Sequence, residues 1–178
     1  MNFCKGLLFL GGYMSVAMVQ AEAKLAGSPP AATPKAVVQG FLQDVRAGAH
    51  PERAADYLAA QVIAHQLNAE APAEVLRTPA DYEQHVGEFK QTYGNFDFEV
   101  TELIAEGDRV YARWRQSGCH VGAVGDYTPT RRKVVELASA VYRVAEGRIV
   151  EYWIQIDRQG IDAQLRANRE AKVLAACT

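Results

Sequence analysis

Close to Gly94 the apolar residues stop recurring at helical spacing and begin to alternate one by one. A chain with that switch folds as helices followed by strands, because the two spacings place a continuous apolar face on different backbones. Before the switch, "KAVVQGFLQDVRAGA" carries Val38, Phe41, Leu42 and Val45 at helical spacing and is ended by Gly48. "PERAADYLAAQVIAHQL" predicts a second helical segment, with Pro51 suited to its first turn and Ala54, Leu58 and Val62 along one stripe. A third helix fits "TPADYEQHVGEFKQTYG", capped by Thr78 with Pro79 behind it.

After the switch, Phe96, Phe98 and Val100 alternate with polar neighbours. A turn at Glu106-Gly107-Asp108 leads to a strand with Val110, Ala112 and Trp114 on one side and Tyr111, Arg113 and Arg115 on the other. Two more strands lie in "RRKVVELASAVYRVAEGRIVEYWIQID", joined by a hairpin turn at Ala145-Glu146-Gly147. A last helix, "GIDAQLRANREAKVLAA", closes the chain. Helices followed by an antiparallel meander predict an α+β domain with the helices on one face of the sheet. When such a sheet curves, the space between the two layers is where a small-molecule site belongs.

The first residues do not belong to that domain. "MNFCKGLLFLGGYMSVAMVQAEAK" has Lys5, an apolar run from Gly6 to Val19, and small residues at Ala21 and Ala23, the three-part layout of a secretory signal peptide over residues 1–23. The other reading, a buried N-terminal helix, does not account for the small-residue site. Residues 24–34, "KLAGSPPAATP", have no period and read as a disordered leader, which leaves 35–178 as the folded domain. The protein is therefore expected in the periplasm or outside the cell, with no membrane association after processing. Export removes Cys4 and leaves Cys119 and Cys177, either paired or as two separate thiols. No C-x-x-C or Cys/His spacing suggests a metal, and no cofactor motif appears. Nineteen Lys and Arg against 21 Asp and Glu, without a basic block, argue against nucleic acid as a partner.

The order of pieces after Leu103 resembles a known family. "AEGDRV", the strand containing "RW", "GCHVG" with a downstream "PT", "GRIVEYW" and an Asp four residues after the Trp resemble the SnoaL-like polyketide cyclases and ester cyclase homologues. These belong to the cone-shaped superfamily of nuclear transport factor two, which also holds ketosteroid isomerase. The earlier "IAHQ" is similar to the family's element at the end of its second helix. The likeness runs over about residues 36 to 166. It implies a cone-shaped, curved antiparallel sheet with the N-terminal helices on its concave face. It also implies a pocket acid that moves a proton on a carbonyl-bearing substrate, and Asp157 is the position that matches. Two departures stand out. Many relatives carry Asp directly after the Trp, where this chain has Ile154, and many read Pro-Thr-Gly-Arg where it reads Pro129-Thr130-Arg131-Arg132.

Strand alternation puts Glu151, Trp153, Gln155 and Asp157 on one face and Val150, Tyr152, Ile154 and Ile156 on the other. Both faces carry apolar or aromatic residues. One is expected to line the cone, and the family likeness implies that the other is covered by a second copy, as a homodimer. Asp157 is then either a general acid/base with a pKa raised by an apolar pocket or the N-cap of the last helix, roles that do not exclude each other. His65 and His120 are the further catalytic candidates, each with a purely structural alternative. Trp153, Gln155, Trp114 and Tyr127 are the candidates for holding the substrate, and the alternative for the aromatic residues is simple packing. His50 and His85 carry no such indication. The chain is thus expected to bind a small hydrophobic carbonyl-bearing molecule, with Asp157 catalysing proton transfer, cyclisation or isomerisation without a cofactor, or to act as a non-catalytic ligand-binding or dimeric scaffold domain.

Overall fold

The computed structural model describes residues 32–171 and Cys177, so the segment 1–23 read above as a signal peptide and most of the expected leader lie outside the described residues. Thr33 and Pro34, read above as the end of the leader, start the first helix. The Thr33 hydroxyl accepts the Ala36 N–H at 3.2 Å and Pro34 takes the first turn of α1, Pro34–Gly40. The helix widens at once into a π-helical turn, Phe41–Arg46, where the Ala47 N–H reaches back to the Leu42 carbonyl at 2.9 Å. That widening buries Phe41, Leu42, Val45 and Arg46 together. Gly48, with φ of 74°, ends the segment as its position predicts.

The second helical segment is shorter than the stripe Ala54, Leu58, Val62 predicts. Only a 3₁₀ turn, Pro51–Arg53, and α2, Ala54–Tyr57, are helical; Leu58–Gln66 is a strand, β1. Residues four apart share a face in a strand as well as in a helix, so the stripe fits both backbones and pairing with a neighbouring strand decides. A second strand, β2, Ala73–Arg77, follows without any alternating apolar pattern to announce it, because almost every side chain in it is exposed. The third helix forms where expected, as α3, Pro79–Tyr93, with Thr78 and Asp81 in a reciprocal capping box.

The four strands after the switch also form where expected: β3 Asp97–Glu106, β4 Arg109–Cys119, β5 Lys133–Ala145 and β6 Arg148–Ile156. Glu146 and Gly147, with φ of 51° and 73°, make the β5–β6 turn in the left-handed geometry that a tight hairpin requires. The last helix, α4, runs Arg158–Glu170; residues 172–176 of its predicted extent lie outside the described residues. The six strands form one open sheet in the order β2-β1-β6-β5-β4-β3. It is antiparallel except where β1 joins β6 in parallel, a correction to the wholly antiparallel sheet expected from the sequence. Long crossovers permit that pairing, and more than eighty residues separate the two strands.

Register shifts between Val100 and Glu102 and between Arg143 and Val144 bend the strands. α1, the π-helical turn and α3 fill the concave side. Phe41 is fully buried there, edge-on to Tyr82 at 5.0 Å and to Tyr142 at 5.8 Å. Burying such a ring contributes about 1.5–3 kcal/mol. The mixed α+β architecture with a curved open sheet is the fold class the sequence predicts.

Candidate ligand-binding site

Two long side chains meet at the centre of the concave side. Arg46 comes from the π-helical turn and Glu136 from the inward register of β5, between Val134 and Ala138. The Arg46 guanidinium donates to Glu136 Oε1 at 2.9 Å, with both side chains less than a tenth exposed. The Trp114 indole N–H lies 3.4 Å from the same oxygen. Arg46 also stands 5.4 Å from the Trp114 ring, 5.6 Å from Phe98 and 5.7 Å from Phe89. The charge is therefore matched by one carboxylate and by the electron-rich faces of three rings, as a buried cation requires.

A cavity of about 170 Å³ opens beside this pair. Tyr82, His85 and Phe89 of α3 wall it on one side, Tyr152, Ile154 and Ile156 of β6 on the other, and Gln66, Arg77 and Arg158 surround its rim. Burial raises the Tyr82 hydroxyl beyond the ordinary phenol range and raises that of Tyr152, although Arg77 and Arg46 oppose the shift in both. Both stay protonated and able to donate. Burial lowers the His85 imidazole to about 4, reinforced by Arg46 and Arg77, so it is neutral at physiological pH. Outside this cavity, and sharing Glu136, Ile156 and Arg158 with it, a wider recess of about 580 Å³ is edged by Tyr93, Val124, Tyr127, Ile161 and Leu165.

The residues singled out from the sequence fall in three places. Trp114 is fully buried behind Arg46 on the concave side. Tyr127 edges the recess, its hydroxyl donating to Asp162 at 2.7 Å. His120, one residue past β4, is fully buried 6.2 Å from the Tyr93 ring; its Nδ1 accepts the Thr130 N–H at 3.3 Å, and burial lowers its pKa.

Trp153, Gln155 and His65 lie on the outer face, not in the cone. β6 turns Tyr152, Ile154 and Ile156 inward, so the alternation is as predicted but its two faces are exchanged. His65 packs flat on Trp153, 4.9 Å between ring centres and 2° between planes, and Arg109 covers Trp153 at 4.7 Å. Glu151 sits 2.8 Å from His65 Nε2 and 2.8 Å from Arg143, which together lower its pKa.

Asp157 stands at the end of β6 as the N-cap of α4. Its Oδ1 accepts the Gly160 N–H at 2.8 Å, and the carboxylate is exposed. With Gln155, Ser139 and Arg113 it lines an open depression of about 490 Å³ that shares Ile156 and Arg158 with the cone cavity, whose own lining does not include Asp157. The position directly after the Trp is the one that faces the cavity, and here it is Ile154. Sequence reasoning passed over Arg46, Arg77, Tyr82, His85, Glu136 and Tyr152. The available signal was a charge on an apolar register, in Glu136 two residues from Val134 and in Arg46 four from Leu42. Among the described residues no group of three or more His, Cys, Asp or Glu is arranged to hold a metal ion, and no helix is long and apolar enough to cross a membrane.

Cys119 and Cys177 are joined by a disulfide, which ties the segment after α4 to the end of β4. The main chain supports it: the Cys177 N–H donates to the Arg131 carbonyl at 2.9 Å.

No curated protein matches the chain. Solved structures share the fold at low sequence identity. A proposed polyketide cyclase from Acidithiobacillus ferrooxidans superposes with a TM-score of 0.65 at 21% identity, over 79% of this chain and 99% of that one. IdmH, a proposed polyketide cyclase from Streptomyces antibioticus, gives 0.64 at 22%, over 76% and 99%. A SnoaL-like polyketide cyclase from Agrobacterium tumefaciens gives 0.59 at 16%, over 75% and 98%. The model of the SnoaL-like polyketide cyclases matches residues 36–165. With most of the folded chain inside that match and the curved sheet and its cavity in place, the protein belongs to the SnoaL-like polyketide cyclase family.

Proposed function

We propose that this chain is an exported SnoaL-like domain that binds a small, largely apolar, carbonyl-bearing molecule in its concave cavity, without using Asp157 as an acid/base. The observation that carries this reading is the exchange of faces on β6. Ile154 points into the cavity, while Asp157 caps α4 and is exposed. The carboxylate that lines the cavity, Glu136, is held by Arg46 at 2.9 Å. What the walls offer instead are donors: two protonated tyrosines and the N–H groups of Arg77 and Arg158, all suited to hold a carbonyl oxygen. Export is supported by the signal-like N-terminus and by the Cys119–Cys177 disulfide, a bond that persists in oxidising compartments.

A panel of small ketones and esters in deuterated buffer tests the reading by NMR. Saturation-transfer contact without deuterium incorporation at the carbon beside the carbonyl is the expected result. Incorporation that disappears in Asp157→Asn overturns it in favour of the cyclase or isomerase alternative.

A second copy of the chain covers the outer sheet face. Leu137 and Ile104, 51% and 61% exposed there, support this, since both stand on a face that already carries Trp153 and Tyr111. Light scattering is expected to give twice the mass of the mature chain, and Leu137→Glu to halve it; a monomer in both removes this part of the reading.

A further inference from the structure

The charges around the cavity do not balance. Arg46, Arg77 and Arg158 contribute three guanidinium groups to its lining and Glu136 the single carboxylate. Arg46 and Glu136 neutralise each other at 2.9 Å. Among the described residues neither Arg77 nor Arg158 is in an ion pair, although Asp81 and Glu88 border a neighbouring recess with Arg77, and Glu70 and Asp157 border the open depression with Arg158. His85 adds no charge that would alter the sum near neutral pH. A cavity walled by tyrosine, phenylalanine and isoleucine but edged by two guanidinium groups that are in no ion pair, with Glu136 the one carboxylate in its own lining, favours a ligand with an apolar body and one negative end. Guanidinium groups bind a carboxylate through paired N–H donors, about twice as strongly as neutral hydrogen bonds do.

Size narrows the body. The inner cavity of about 170 Å³ suits one aromatic ring, since an engineered apolar cavity of about 150 Å³ takes benzene. A second polar feature lies deeper. Gln116 is 1% exposed, both of its amide atoms lack a partner among the described residues, and it borders a gap of about 10 Å³ beside Glu136 and Phe89, no larger than one water needs.

We propose that the concave cavity selects a small monocarboxylate built on a single ring, with its carboxylate held by Arg77 and Arg158 at the rim and its ring between Phe89 and Ile154. This rests on the ligand-binding reading above and adds the charge of the ligand to it.

The test uses the mature protein with paired probes: benzoate, salicylate and cinnamate, each against its methyl ester, which keeps the ring and removes the charge. Binding is followed by titration and by the shifts of the His85 and Tyr82 ring signals. The expected result is that the acids bind about tenfold more tightly or better than their esters, and that Arg77→Gln and Arg158→Gln each reduce this preference. Both residues sit at an exposed or half-buried rim, and unchanged melting temperatures will show that the variants are folded. Esters that bind as tightly as the acids overturn the anion selectivity but leave the cavity as a binding site. A preference that survives both substitutions overturns the assignment to these arginines. If no probe of either kind moves His85 or Tyr82 at millimolar concentration, the binding reading falls with the selectivity.

Discussion

Glu136 and Arg46 form a hydrogen-bonded ion pair at 2.9 Å in the middle of the concave side, reached from two elements ninety residues apart in the chain. The pair joins the π-helical turn to the central part of the sheet and sets the charge of the cavity floor. Removing only one partner leaves a charge buried without compensation. Glu136→Gln is therefore expected to cost about 3–5 kcal/mol, whereas the double change Arg46→Met with Glu136→Leu costs far less. Denaturant unfolding, followed through Trp114 fluorescence, checks both.

Asp157 allows a cap to be separated from a catalyst. Asn caps a helix as well as Asp, so Asp157→Asn is expected to change stability by only a few tenths of a kcal/mol, and Asp157→Ala to cost about 1 kcal/mol. Neither is expected to alter ligand affinity in the cavity. Thermal unfolding and a binding titration on the same two variants give the answer.

His85 makes stability depend on pH with a definite sign. Its folded pKa, about 4, lies below the ordinary value of 6.5, so between those limits the unfolded chain binds more protons than the folded one. Stability is then fully present above about 6.5 and is lost as the pH falls towards 4. His120, also lowered by burial, acts in the same direction. The contribution of His85 is the difference in slope between the wild type and His85→Gln, and that difference is expected to vanish above pH 7.

The disulfide closes a loop of 58 residues in sequence separation. Restricting the unfolded chain over such a loop is worth about 2–4 kcal/mol, so Cys177→Ser or reduction should lower the unfolding midpoint accordingly. Alkylation before and after reduction, read by intact mass, should find Cys119 and Cys177 blocked in the protein as isolated.

The parts of the fold that were legible in the sequence are those in which a local pattern has one meaning. The Thr78 cap with Pro79 gives α3, the glycine turns at Gly107 and Gly147 give the hairpins, and single alternation gives β3 to β6. Leu58 and Val62 mislead because a spacing of four satisfies both a helix and a strand, and only pairing with β2 and β6 decides between them. β2 is a polar edge strand and leaves no apolar trace. Alternation on β6 groups Tyr152 with Ile154 and Ile156 correctly, but says nothing about which group faces the helices. That depends on packing against Tyr82 and Phe89, elsewhere in the chain. The cavity was the least legible part, since Arg46 and Glu136 acquire their meaning only from each other.

The bond between Cys119 and Cys177 also decides how the domain would respond to being pulled. β5, β6 and α4 all lie within the covalent ring that it closes. Tension applied at the two ends of the chain would pass from Cys177 straight to the end of β4. The last two strands and the final helix would be spared extension, and the chain would lengthen only through its N-terminal part until the bond was reduced.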